Sequence, residues 1–189
     1  ATSFLTLALG MSSMAAYNST NELADAINKT PDTFYTLYSG MPISDYQENW
    51  YGIKGWKQKR NWDTKYSTQD EFTRTYKIDG VTVKERVTVS FSKDLNVFAF
   101  GVEIQSDNPK IIEKIYNRLY DNACANYPEF SSYMKRGWTS PYQNPKPCYV
   151  IEKTRAYDKY IGLHMSERKD VYKKTWLSPK YVVDYHLNR

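Results

Sequence analysis

The sequence predicts an α+β fold, with short helices packed on an antiparallel β-sheet. Three observations carry this reading. Two runs of strict alternation flank Asp79-Gly80, a favoured two-residue hairpin turn. A long stretch after Pro109 repeats its apolar residues with helical period. Helical and strand patterns fall in separate blocks along the chain, helices first and strands after, with the same order returning in the second half.

Phe4, Leu5, Leu7, Ala8 and Leu9 form a short uncharged apolar run, and Ser13-Met14-Ala15 then supplies a small-x-small pattern. Residues 1–16 therefore read as the remnant of a secretory signal peptide, cut after Ala15 or Ala16, and the protein is expected to be periplasmic or secreted. A single α+β domain is expected over 17–189. Lys54-Gly55-Trp56 and Arg136-Gly137-Trp138 fall at comparable points between helix and strands, suggesting two pseudo-repeated halves, 17–106 and 107–189.

A short helix opens at Asn21-Glu22-Leu23, with Leu23, Ala26 and Ile27 on one face. Thr30-Pro31-Asp32 has the makings of a second helix start, an N-cap, a proline in the first turn and an acid at the positive end of the dipole, and Gly40 would stop it. Ser44 to Gln47 looks like a capping box for a third helix ended by Gly52 or Gly55. Trp50, Trp56 and Trp62 are placed to anchor helix to sheet.

In the hairpin, Phe72, Tyr76 and Ile78 alternate with polar residues, as do Val81, Val83, Val87, Val89 and Phe91. Glu85 interrupts the apolar face, so either that face is dry only at its ends or the strand bulges there. Leu95 to Ile104 is largely apolar on both faces and is expected to lie centrally, covered on both sides at least in part. Asp107-Asn108-Pro109 caps the best helix, whose stripe is Ile111, Ile112, Ile115, Leu119 and Ala123 with Cys124 on its flank. Beyond a proline-marked stretch, strands are expected over 149–157, 160–166, 171–177 and 181–187.

The two cysteines, Cys124 and Cys148, lack CxxC spacing, and in an exported chain the expectation is a disulfide closing a loop of roughly 25 residues, worth about 2–4 kcal/mol. No apolar run is long enough to span a membrane. A hydrophobic fraction of 41% argues against wholesale disorder. Eighteen Tyr, seven Phe and five Trp fit a broad sheet with one wet face, because tyrosine tolerates half-burial.

Net charge is +5, with no charged residue before Glu22, so the excess belongs wholly to the expected mature chain. Such a balance favours an anionic protein or an anionic cell-envelope polymer as partner. Candidate binding residues are Lys84, Arg86, Lys153, Arg155 and Lys173 on the presumed wet strand faces, together with Trp138. Basic residues interleaved with tyrosine also suit single-stranded nucleic acid, but export argues against that partner. No metal or cofactor motif is present. His164 and Ser166 share one strand face and Asp184 and His186 another, yet no G-x-S-x-G elbow or H-E-x-x-H accompanies them, so no catalytic residue is assigned. An exported non-enzymatic binding module is the leading expectation; a small envelope-acting hydrolase is the alternative.

Ser39-Gly40-Met41-Pro42-Ile43-Ser44-Asp45, followed by Gly52 or Gly55 and Trp56, resembles the Gly-Met turn and short helix of small exported bacterial domains of the β-lactamase-inhibitor-protein type and of the related outer-membrane assembly lipoproteins. The resemblance covers residues 38–104, with a fainter echo in 109–187. It implies a binding or scaffolding domain with no catalytic residues to carry over. The chain departs from the lipoproteins in having no cysteine after its apolar run.

Overall fold

The computed structural model describes residues 17–63, 67–92, 96–130, 138–139, 149–153, 158–168 and 180–188. Ser19 caps the first helix, α1 (Thr20–Asn28): its hydroxyl accepts from the Glu22 backbone N–H at 3.2 Å, and the Glu22 carboxylate accepts from the Asn18 N–H at 2.8 Å. Donors left over at the chain's entry into the helix are thereby satisfied, and Leu23, Ala24 and Ile27 face the core.

The helix expected after Thr30 does not form. Instead the segment makes a short hairpin, β1 (Thr33–Phe34) and β2 (Leu37–Tyr38). Asp32 and Tyr35 sit in the left-handed region at φ 59° and 56°, which breaks any helix there. Long-range contacts hold this geometry. The Asn28 side chain donates to the carbonyls of Thr30 and Thr33, each at 3.0 Å, and the Tyr127 hydroxyl accepts from the Asp32 N–H at 2.7 Å. The hairpin delivers Phe34 and Leu37 into the core, where the Phe34 ring lies 5.1 Å from that of Phe100.

The next helix, α2 (Ile43–Trp50), starts on Pro42 and not on Ser44, so the capping box is not made; the Ser44 hydroxyl bonds the Asp45 carboxylate instead. Tyr46 and Trp50, one turn apart, are both fully buried. Gly52 at φ 69° turns the chain out of the helix. A strand not anticipated from the sequence follows, β3 (Lys57–Asp63). Lys57-Gln58-Lys59-Arg60 carries no apolar alternation, and an edge strand beyond the helix layer needs none.

The Asp79-Gly80 hairpin forms as expected. Strands β4 (Ser67–Ile78) and β5 (Val81–Ser92) pair from Ile78–Val81 outward, and Asp79 and Gly80 both have positive φ, 51° and 76°, as a type I′ turn requires. Neither reading of Glu85 holds. No bulge interrupts β4–β5, and Glu85 is fully buried on the core face, where an arginine meets it.

Strand β6 (Val97–Ser106) is central, as expected, with one face buried and the other covered in part. Ser90 pairs with Ala99 while Phe91 pairs with Val97, so a bulge switches the phase of the strand and buries both Val97 and Phe100. That switch produces the two-faced apolar pattern. Beyond it, Gly101, Glu103 and Gln105 remain partly exposed on the face opposite Val102 and Ile104.

Helix α3 (Pro109–Asn126) starts at its predicted cap, with the Asn108 side chain accepting from the Lys110 N–H at 3.0 Å. Its predicted stripe is buried along with Tyr116 and Tyr120, and Cys124 is half-buried on the flank. Then come β7 (Trp138–Thr139), β8 (Tyr149–Lys153), β9 (Asp158–Arg168) and β10 (Lys180–Asn188). One sheet runs β3-β4-β5-β6-β10-β9-β7, with β8 also on β9; all pairings are antiparallel except β7 with β9. The β6–β10 pairing joins the two candidate halves in a single sheet.

The helices share one face. Helix α3 lies against β6, β9 and β10, α1 packs on α3, and the rings of Tyr46 and Trp50 reach Phe72 at 6.3 and 5.1 Å. The fold is therefore α+β, a helical layer on a mainly antiparallel sheet. Among the described residues, no helix is long and apolar enough to cross a membrane. Residues 1–16, the expected strand over 171–177, Cys148, Arg155 and Lys173 lie outside the described residues.

Candidate functional site

The sheet face opposite the helices carries the candidate site. Alternation puts the odd residues of β4, the even residues of β5 and the odd residues of β6 beyond the bulge on this face. Register then builds a cross-strand row: Lys57 opposite Thr73, Thr73 opposite Arg86, Arg86 opposite Glu103, Glu103 opposite Asp184, and Asp184 opposite His164. Side chains of Glu71, Thr73, Lys84, Arg86, Glu103 and Gln105 line a partly open concavity in the middle of this face.

Two of the sequence-predicted binding residues, Lys84 and Arg86, stand in that concavity, and the structure gives them different characters. Arg86 Nη2 lies 2.6 Å from Glu103 Oε2, and its Nη1 lies 3.6 Å from Glu71 Oε2, so its charge is locally matched by two acids. Lys84 is exposed between Thr75 and Gln105 with no ion pair among the described residues. Around them, Lys57, Lys59 and Lys77 are exposed on the same face. Five cations therefore face two acids, Glu71 and Glu103, among the described side chains of β3 to β6. Trp138 falls in β7 and Lys153 in β8, at the far side of the sheet from Lys84; their side chains lie outside the described residues.

Glu71, Glu103, Lys57 and Lys59 were missed in the sequence. Counting outward from the Asp79-Gly80 turn sets Arg86 opposite Thr73 and diagonal to Glu71, so that acid was within reach of the pattern. Glu103 was not, because the β5–β6 register depends on the bulge.

A second polar cluster lies on the helix side of the same strands. Arg74 Nε contacts Glu85 Oε2 at 2.7 Å, and the Tyr76 hydroxyl donates to the same oxygen at 3.1 Å. The guanidinium sits 4.2 Å from the centroid of Trp56, 4.9 Å from Tyr76 and 5.0 Å from Tyr17. Burial pushes the Glu85 carboxyl well above the usual carboxylate range, and also raises the phenols of Tyr76 and Tyr17. Nearby, buried Asp70 accepts from the hydroxyls of Tyr46 at 2.7 Å and Tyr51 at 3.0 Å; burial, with Asp70 adding to it, raises the Tyr46 phenol. These acids are enclosed by aromatic rings and are held as parts of the core.

For catalysis, β9 and β10 are neighbours and Asp184 is opposite His164, with Ser166 two residues along the same face. Ser166 is only 8% exposed, which closes it to a substrate. His186 has glycines, Gly101 and Gly162, opposite it on both sides. No group of His, Cys, Asp and Glu able to hold a metal occurs among the described residues. Cys124 forms no disulfide among the described residues, its expected partner lying outside them. No family model, curated protein or solved structure matches the chain.

Proposed function

We propose that this chain is an exported binding module, not an enzyme, whose open sheet face engages an anionic protein or cell-envelope polymer. The observation that carries the reading is the sheet face opposite the described helices, on which Lys57, Lys59, Lys77, Lys84 and Arg86 outnumber Glu71 and Glu103 among the described side chains of β3 to β6. Arg86 is matched by its two acids, so the surrounding lysines supply the attraction. Such exposed charges steer a partner over distances set by a Debye length of about 8 Å at physiological ionic strength. The resemblance to β-lactamase-inhibitor-type domains supports a binding role as well.

Titration of the mature chain with a polyglutamate and with a polyphosphate should show affinity falling several-fold from low to physiological salt. Lys84→Glu should weaken binding and leave the unfolding midpoint unchanged, because Lys84 is exposed. Affinity that is indifferent to salt and lost on truncating exposed Tyr38 or Tyr51 would replace this electrostatic account with an apolar one.

Export carries its own consequences. The mature chain should begin at Ala16 or Tyr17, and Cys124 should be joined to Cys148, tying the end of α3 to the start of β8. N-terminal sequencing and intact mass check both, the bond appearing as one hydrogen gained per cysteine on reduction. Thiols that react fully without reductant in protein recovered from an oxidising compartment would refute the bond.

A further inference from the structure

We infer that the outer edge of β3 is a docking strand for an extended acidic peptide segment of a protein partner. The inference rests on the binding reading above and narrows it to one class of occupant. The two ends of the sheet differ. At one end β9 is flanked by two short strands, β8 along Asp158–Ile161 and β7 along Met165–Ser166, so the outermost edge there is split into pieces of five and two residues. At the other end the sheet stops at β3, whose outer backbone groups have no strand partner among the described residues.

Strand β3 is suited to adding one more strand. Lys57 to Arg60 stay in regular register with Asp70 to Thr73, and the irregularity begins only between Arg60 and Trp62. Lys57, Gln58 and Lys59 are all exposed, although Gln58 lies opposite Phe72 on the helix side of the sheet. The helical layer therefore stops short of this edge, and nothing in it blocks an incoming chain.

Charge selects the occupant. Lys57, Lys59 and Arg60 fall within four residues that hold no acid, so a second copy pairing over this regular segment, 57–60 against 57–60, would set like charges side by side. An acidic strand would instead set carboxylates beside Lys57 and Lys59, while its backbone supplies the ladder bonds that a non-peptide polyanion lacks. The same lysines that bar self-pairing thus admit one kind of partner.

The test uses the full chain and four fluorescent probes: an eight-residue peptide alternating Glu and Thr, two versions N-methylated at alternate residues in opposite phases, and polyphosphate. The unmodified peptide should bind and slow amide exchange along residues 57–60. One methylated phase, the one whose N–H groups face β3, should bind at least about tenfold more weakly, since it loses several ladder bonds at once, and the other should not. Lys57→Glu combined with Lys59→Glu should abolish binding of the unmodified peptide at an unchanged unfolding midpoint. Equal affinity of both methylated peptides, or polyphosphate binding without peptide binding, would overturn the docking strand and leave the anionic-face reading standing. Failure of all four probes to bind would overturn both.

Discussion

Replacing Glu85 by alanine is expected to lower the free energy of unfolding by about 3–5 kcal/mol, the range for removing one partner of a buried ion pair. Glu85 is fully buried, and against the burial that raises its carboxyl stands the Arg74 guanidinium, whose Nε lies 2.7 Å from Glu85 Oε2 and favours the ionised form. Without Glu85, the arginine is left among Trp56, Tyr76 and Tyr17 with no carboxylate at Nε to offset the loss of water. Arg74 itself is 8% exposed and cannot swing into solvent without opening that aromatic layer.

The pair need not contribute much net stability. Glu85 Oε1 and Arg74 Nη2 are buried without a hydrogen-bond partner among the described residues, so part of the desolvation cost is not recovered. Glu85→Leu combined with Arg74→Met should therefore return most of what either single replacement loses. Urea unfolding of the two singles and the double closes the cycle. A loss below about 1 kcal/mol for Glu85→Ala would show that the charge is not confined as described.

Trp50→Ala should cost a similar amount, about 3–5 kcal/mol, by a different route. The indole is fully buried at the centre of an aromatic cluster, 5.1 Å from Phe72, 5.9 Å from Trp56 and 6.1 Å from Tyr35 between ring centroids. Truncation removes the group that fastens α2 to β4 and leaves a cavity that rigid sheet backbone cannot fill. It also removes the indole N–H that donates to the Thr36 hydroxyl at 3.0 Å, so the β1–β2 hairpin should loosen too. Trp50→Phe should retain much of the packing and lose the hydrogen bond, placing its cost between wild type and alanine. Denaturant unfolding with near-ultraviolet circular dichroism separates these cases, and near-equal stability of the alanine variant would mean that α2 does not carry this part of the core.

Local chemistry made much of the architecture legible. The Asp79-Gly80 turn sets positive φ cheaply and pins every β4–β5 pair, because each cross-strand pair follows by counting outward from the turn. The same count places Arg74 opposite Glu85, a pairing of opposite charges that the apolar alternation had obscured. Helix α3 was readable for an equally local reason, a side-chain cap at Asn108, a proline at the first turn and an apolar stripe of helical period.

Tertiary contacts decided the rest. Thr30-Pro31-Asp32 has every local mark of a helix start, yet Asn28 and Tyr127 capture its backbone groups and the core takes Phe34 and Leu37, so a hairpin wins. Strand β3 has no apolar pattern to betray it, since its place at the sheet edge leaves both sides of Gln58 and Lys59 in solvent. The bulge that pairs Phe91 with Val97 sets which residues of β6 turn outward, and only through it does Glu103 meet Arg86. The sequence by itself determined the turn, the long helix, the alternation and the excess of cations. Which cations are matched by acids, which stand open, and which strand lies at the edge follow from register and packing between distant segments, and local propensity carries no information about them.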